Sequence, residues 1–107
     1  MPTPIAPSIV LTTRQREILE TIARRPTSTQ QQALRARIVL QAAANKTNLQ
    51  IASELGIDRD TVSKWRGRWA DAGDKLAAVE QEEDQRNPLA QAIEQVLLPL
   101  HVFKNSD

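Results

Sequence analysis

The sequence predicts an all-α protein, and three observations carry that prediction. Apolar residues recur at helical spacing along most of the chain. A hydroxyl residue followed three positions later by glutamine opens one segment after another. No stretch alternates apolar and polar residues as a half-buried strand would.

The elements follow in order. "MPTPIAPS" places three prolines in eight residues, and proline fixes φ and removes backbone donors, so residues 1–10 read as a flexible, extended arm. "LTTRQREILETIARR" begins a helix with Thr12 and Gln15 as a capping box, and Ile18, Leu19 and Ile22 share a face until Pro26. "TSTQQQALRARIVLQAAANK" forms a second, for which Ser28 with Gln31 supplies the cap and Leu34, Ile38 and Ala42 the face. "TNLQIASELG" gives a third, capped by Thr47 with Gln50 and stopped by Gly56. Asp58 caps a fourth. After Gly73, "DKLAAVEQEEDQR" reads as a separate acidic helix, and "NPLAQAIEQVLLPLHVF" as a last one, with Asn87 as cap and Pro88 in the first turn.

Composition narrows the function classes. A chain of 107 residues suits one domain with a modest core. With no cysteine, disulfides and thiolate metal sites are excluded. No apolar run approaches the roughly 18 residues of a membrane span, and the expectation is a soluble, cytoplasmic, nucleoid-associated protein. The net charge of +1 hides a division after Trp69. Eleven Lys/Arg against five Asp/Glu give +6 up to Trp69, while three against eight give −5 from Ala70 onward. A polyanionic partner therefore belongs to the first part.

The stretch "IASELGIDRDTVSKWRGRW" concentrates the evidence. Two short helices crossing steeply need a small residue at their approach, a turn residue that tolerates positive φ, and apolar contacts from both helices. Ala52 and Gly56 supply the first two, and Ile51, Leu55, Ile57, Val62, Trp65 and Trp69 supply the rest. The stretch resembles the helix-turn-helix of DNA-binding proteins.

A finer resemblance runs from Leu11 to Gly73. "LTTRQREILETIARR", "ALRARIVLQAA", "NLQIASELGI" and "TVSKWRGRWADAG" resemble the N-terminal homeodomain-like region of bacterial mariner-like insertion-sequence transposases. That resemblance implies a homeodomain-like bundle with an extra N-terminal helix and one or two C-terminal helices, and binding to the inverted repeats at an element's ends. Members of the family continue into a second basic segment and a catalytic domain with three acidic metal ligands. This chain turns acidic after Gly73, so transposition chemistry is not carried over.

A helical wheel selects the DNA-facing residues. Val62, Trp65 and Trp69 turn inward, leaving Asp60, Ser63, Lys64, Gly67 and Arg68 opposite, Arg59 at the amino end and Arg66 on a flank. Because a reader helix enters the major groove amino end first, Arg59, Asp60, Ser63 and Lys64 are the expected base contacts. Thr47, Asn48, Gln50, Arg66 and Arg68 are the expected phosphate contacts. Plainer roles compete with these. The tryptophans fit core packing better than base stacking, Asp60 also suits the positive end of the helix dipole, and Gly67 either admits DNA backbone or marks fraying.

Elsewhere the chemistry is thin. Glu80, Glu83 and Asp84 share a face but read as solvated, and His101 has no convergent partners. No catalytic residue, cofactor or metal site is expected. Leu89, Ile93, Val96, Leu97 and Leu100 form a stripe that either closes the domain's own core or makes a homodimer face. The division expected is an arm over 1–10, a DNA-binding domain over 11–73 and an acidic extension over 74–107. An alternative function is a protein-interaction module that acts on a full-length transposase or another partner through its acidic part.

Overall fold

The computed structural model describes residues 9–82 and 88–98, and among them every regular element is helical. Helix α1 spans Thr13–Arg24, α2 Gln30–Ala43, α3 Asn48–Leu55, α4 Arg59–Glu82 and α5 Pro88–Val96. Three of the five open on complete capping boxes. In α1 and α3 these are the expected pairs, Thr12 with Gln15 and Thr47 with Gln50. In α2 the cap is Thr29 with Gln32 instead of Ser28 with Gln31. "TSTQQQ" satisfies the pattern in overlapping frames, and Ser28 is taken by Arg25, whose Nε donates to its Oγ at 2.9 Å.

The core is built from all five helices. Leu19 and Ile22 of α1 meet Ala36, Ile38, Val39 and Ala42 of α2, and the cluster continues through Ile51 and Ala52 to Val62, Trp65, Trp69 and Leu76. Helix α5 closes it with Leu89 and Ile93, and Leu97 follows just past the helix end. Ile9, placed in the flexible arm by the sequence, is buried in the same cluster, while Val10 beside it is exposed.

Helix α4 differs most from expectation. It does not stop at Gly73 but runs for 24 residues, about 36 Å at 1.5 Å per residue. Val62, Trp65, Trp69, Ala72, Leu76 and Val79 lie at alternating spacings of three and four and all pack into or against the core. Their burial outweighs the cost of Gly67 and Gly73, each roughly 1 kcal/mol relative to alanine. An added Cβ at either glycine meets nothing within 4 Å, so neither is required for a close approach inside the fold. The helix passes through Gly67 intact, and the fraying reading of that residue falls.

The stripe on α5 is spent inside the molecule. Leu89, Ile93 and Leu97 are buried in this chain's own core and Val96 is half-buried, so the stripe is not free to join a second copy. Leu100, His101, Asn87, Glu83 and Asp84 lie outside the described residues.

Candidate nucleic-acid interface

The turn between α3 and α4 sets the site. Gly56 sits at φ 70°, ψ 36°, the left-handed region that glycine enters without penalty, and Ile57 N–H donates back to Ala52 O at 3.0 Å. Asp58 then starts α4. Its Oδ1 accepts from Thr61 Oγ1 at 2.7 Å and its Oδ2 from Thr61 N–H at 3.3 Å. The hydroxyl bond, with backbone N–H groups adding to it, holds this carboxyl below its ordinary range.

The motif core is assembled as the spacing predicts. Ile51, Ala52, Val62, Trp65 and Trp69 are buried, and Leu55 and Ile57 pack against them. On the outer side of the first two turns of α4, Arg59, Asp60, Ser63 and Lys64 are all exposed. Among the described residues none of the four makes a side-chain hydrogen bond or ion pair, so their polar groups are available.

The expected phosphate set divides. Thr47 and Gln50 are exposed, but each already serves the other: Thr47 N–H donates to Gln50 Oε1 at 2.9 Å and Gln50 N–H to Thr47 Oγ1 at 3.0 Å. The Gln50 NH2 is left over. Asn48 is half-buried, and its Oδ1 accepts from Arg66.

Arg66 and Arg68 are not where the wheel put them. Arg66 is only 6% exposed, and its Nη1 donates to Lys46 O at 2.9 Å and to Asn48 Oδ1 at 3.0 Å. It ties α4 to the start of α3, and burial lowers its pKa. Arg68 turns toward α5 and donates through Nε to Val96 O at 2.6 Å. The reason is reach. A wheel gives the Cβ direction, whereas a guanidinium on a three-carbon stem folds back to an acceptor well off that line.

Arg35, which the sequence did not single out, completes this second arrangement. Its Nη1 donates to Leu97 O at 3.0 Å, next to the carbonyl that Arg68 takes. Both guanidinium carbons lie over the Trp65 ring, 4.2 Å and 5.3 Å from its centroid for Arg35 and Arg68. Desolvation and then the Arg68 charge lower the pKa of Arg35. Two like charges are tolerated side by side because they meet the negative end of α5 and an electron-rich ring face. Arg25 of the α1 cap adds an ion pair to Glu94 at 3.0 Å.

A groove of about 550 Å³ lies between the later turns of α4 and α5, lined by Arg68, Lys75, Leu76, Gln91 and Val96 among others. Among the described residues its lining carries no carboxylate or histidine. Among the described residues no helix is long and apolar enough to cross a membrane.

Residues 29–78 match the family model of a homeodomain-like domain, a span that covers just under half of the chain and takes in α2, α3 and most of α4. The chain matches no curated protein and no solved structure. The matched segment and the turn at Gly56 identify α3 and α4 as the paired helices of a helix-turn-helix within an all-α bundle.

Proposed function

We propose that this chain binds double-stranded DNA sequence-specifically, with α4 entering the major groove amino end first. One observation carries the reading: the first two turns of α4 bury Val62 and Trp65 while leaving Arg59, Asp60, Ser63 and Lys64 exposed and unengaged. Arg59 and Lys64 suit guanine O6 and N7, Asp60 suits cytosine N4, and Ser63 serves several edges. Thr47, Asn48 and Gln50, at the start of α3, face a phosphate, where backbone N–H groups without intrahelical partners add to the attraction. Arg66 and Arg68 leave the direct-contact set because their donors serve the fold.

The chain acts as a stand-alone regulator or as the DNA-binding part of a mariner-like transposase, in the cytoplasm on the nucleoid. Burial of Leu89, Ile93 and Leu97 in this chain's own core favours a single copy on a site without twofold symmetry over a dimer through the α5 stripe. Selection from a random duplex pool, repeated across a salt series, tests this. Enrichment of one unsymmetrical sequence, with log affinity falling steeply with log salt, is the expected result. Absence of binding at low salt would remove the reading, and a palindromic site would remove the single-copy part of it.

A further inference from the structure

Arg66 raises a physical question. A guanidinium that is only 6% exposed is costly unless its donors find acceptors, and the ones it finds at Nη1 are neutral: Lys46 O and Asn48 Oδ1. A guanidinium has no acceptor of its own, so the Asn48 carboxamide must present its oxygen to Arg66 and never its nitrogen. The amide is planar. Its NH2 therefore occupies the corner turned away from that oxygen, and among the described residues nothing accepts from it.

We infer that Arg66 is a positioning residue: it locks Asn48 with the carboxamide NH2 as the group offered to a DNA phosphate. The inference rests on the DNA-binding reading above. An asparagine without such a lock presents oxygen or nitrogen with similar ease, and the oxygen would repel a phosphate. Gln50 is held in the same sense by the capping box, its Oε1 accepting from Thr47 N–H, so its NH2 is a second donor beside that of Asn48, whereas the Thr47 hydroxyl oxygen is committed to Gln50 N–H. The buried arginine thus fixes the donor character of a residue on a different helix, which an outward-facing arginine at the same position would not do.

A double-mutant cycle tests the assignment. Arg66→Lys keeps the charge but loses the planar fork that serves two acceptors, and Asn48→Ala removes the amide. Each variant and the double variant would be melted first, then titrated with the selected duplex at a temperature where all are folded. Arg66→Lys alone is expected to weaken binding by about three- to tenfold, the net size of one ordinary hydrogen bond, because the amide is misoriented part of the time and not removed. In the Asn48→Ala background the same change should alter affinity by less than about twofold. Asn48→Asp keeps an oxygen toward Arg66, so it should melt no lower than the parent yet bind DNA more weakly than Asn48→Ala.

Equal losses from Arg66→Lys in both backgrounds would mean that Arg66 acts only through the fold. Parent-like binding by Asn48→Ala would also overturn the assignment. A parent chain that binds no duplex at all removes the DNA-binding reading itself, so the two failures are distinguishable.

Discussion

Lys64 and Trp65 are adjacent in the chain and meet opposite surroundings, one exposed and one 5% exposed beneath two arginines. Lys64→Ala should leave the melting curve nearly unchanged and cost about 1 to 3 kcal/mol of specific affinity, the value of a bidentate base contact. Equal affinity for variant and parent would remove Lys64 from the groove. Trp65→Ala should instead cost about 3 to 5 kcal/mol of stability, since it opens a cavity in the core and strips Arg35 and Arg68 of the ring they share. Thermal unfolding reads that directly. Asp58 adds a pH-dependent contribution. Its carboxyl pKa is lowered on folding, chiefly by Thr61. The stabilisation is therefore complete above the ordinary carboxylate pKa of about 3.9 and is lost as pH falls through the lower folded value. Asp58→Ala should lie below the parent in Tm near neutrality, and the gap should narrow on acidification below about pH 4. A gap that stays constant would show that the charge of Asp58 contributes nothing. Residue by residue, the sequence was a good guide to burial and a poor one to arginines. Val62, Trp65 and Trp69 declare themselves by spacing. Arg66 and Arg68 do not, because their partners are Asn48 Oδ1 and the carbonyls of Lys46 and Val96, and a carbonyl has no residue signature.

At the level of elements, local signals were legible wherever one chemistry dominated. The Thr47 and Gln50 box and the left-handed Gly56 fix both ends of α3 from the sequence alone. Asn45 was equally available. It takes φ 69° just past α2, where Lys46 N–H donates back to Gln41 O, and asparagine tolerates that conformation better than other residues with a Cβ. Gly73 does not end α4, because an apolar stripe crosses it. The regular spacing of Val62, Trp65, Trp69, Ala72, Leu76 and Val79 outweighs one poor helix former. Continuity of α4 can be checked. Gly73→Ala has open space for its Cβ and removes a helix penalty, so it should raise stability by up to about 1 kcal/mol, or several degrees in Tm for a domain of this size. A lowered Tm would indicate that α4 breaks there in solution. Gly67→Ala should raise Tm likewise. A simultaneous loss of DNA affinity would show that the backbone at Gly67 lies against DNA, and unchanged affinity that it does not.

The acidic second part is tied into the molecule from three sides. Arg25 beside α1, Arg35 of α2 and Arg68 of α4 each reach α5 or the residues just past it, the first through Glu94 and the others through the carbonyls of Leu97 and Val96. Beneath these ties Leu89, Ile93 and Leu97 are fully buried with residues of the other four helices. Charge division along the chain reports where charges lie in sequence and is silent about apolar burial, so it left open whether the acidic part closes the core or pairs with a second copy. Burial decides the matter energetically. A buried isoleucine truncated to alanine typically costs about 2 to 5 kcal/mol, more than exposed ion pairs of about 0 to 1 kcal/mol can oppose or replace. If α5 is part of one cooperative unit, Ile93→Ala should lower the melting temperature of the entire chain. Tryptophan fluorescence from Trp65 and Trp69 and helical circular dichroism should then shift together, in a single transition. Unfolding of α5 ahead of the rest would appear as an early loss of helicity with tryptophan emission unchanged, and would return the acidic part to the role of an appendage. Coincident transitions would instead make α5 a structural requirement of the reader helix, since Trp65 and Arg68 on α4 hold their places partly through the end of α5.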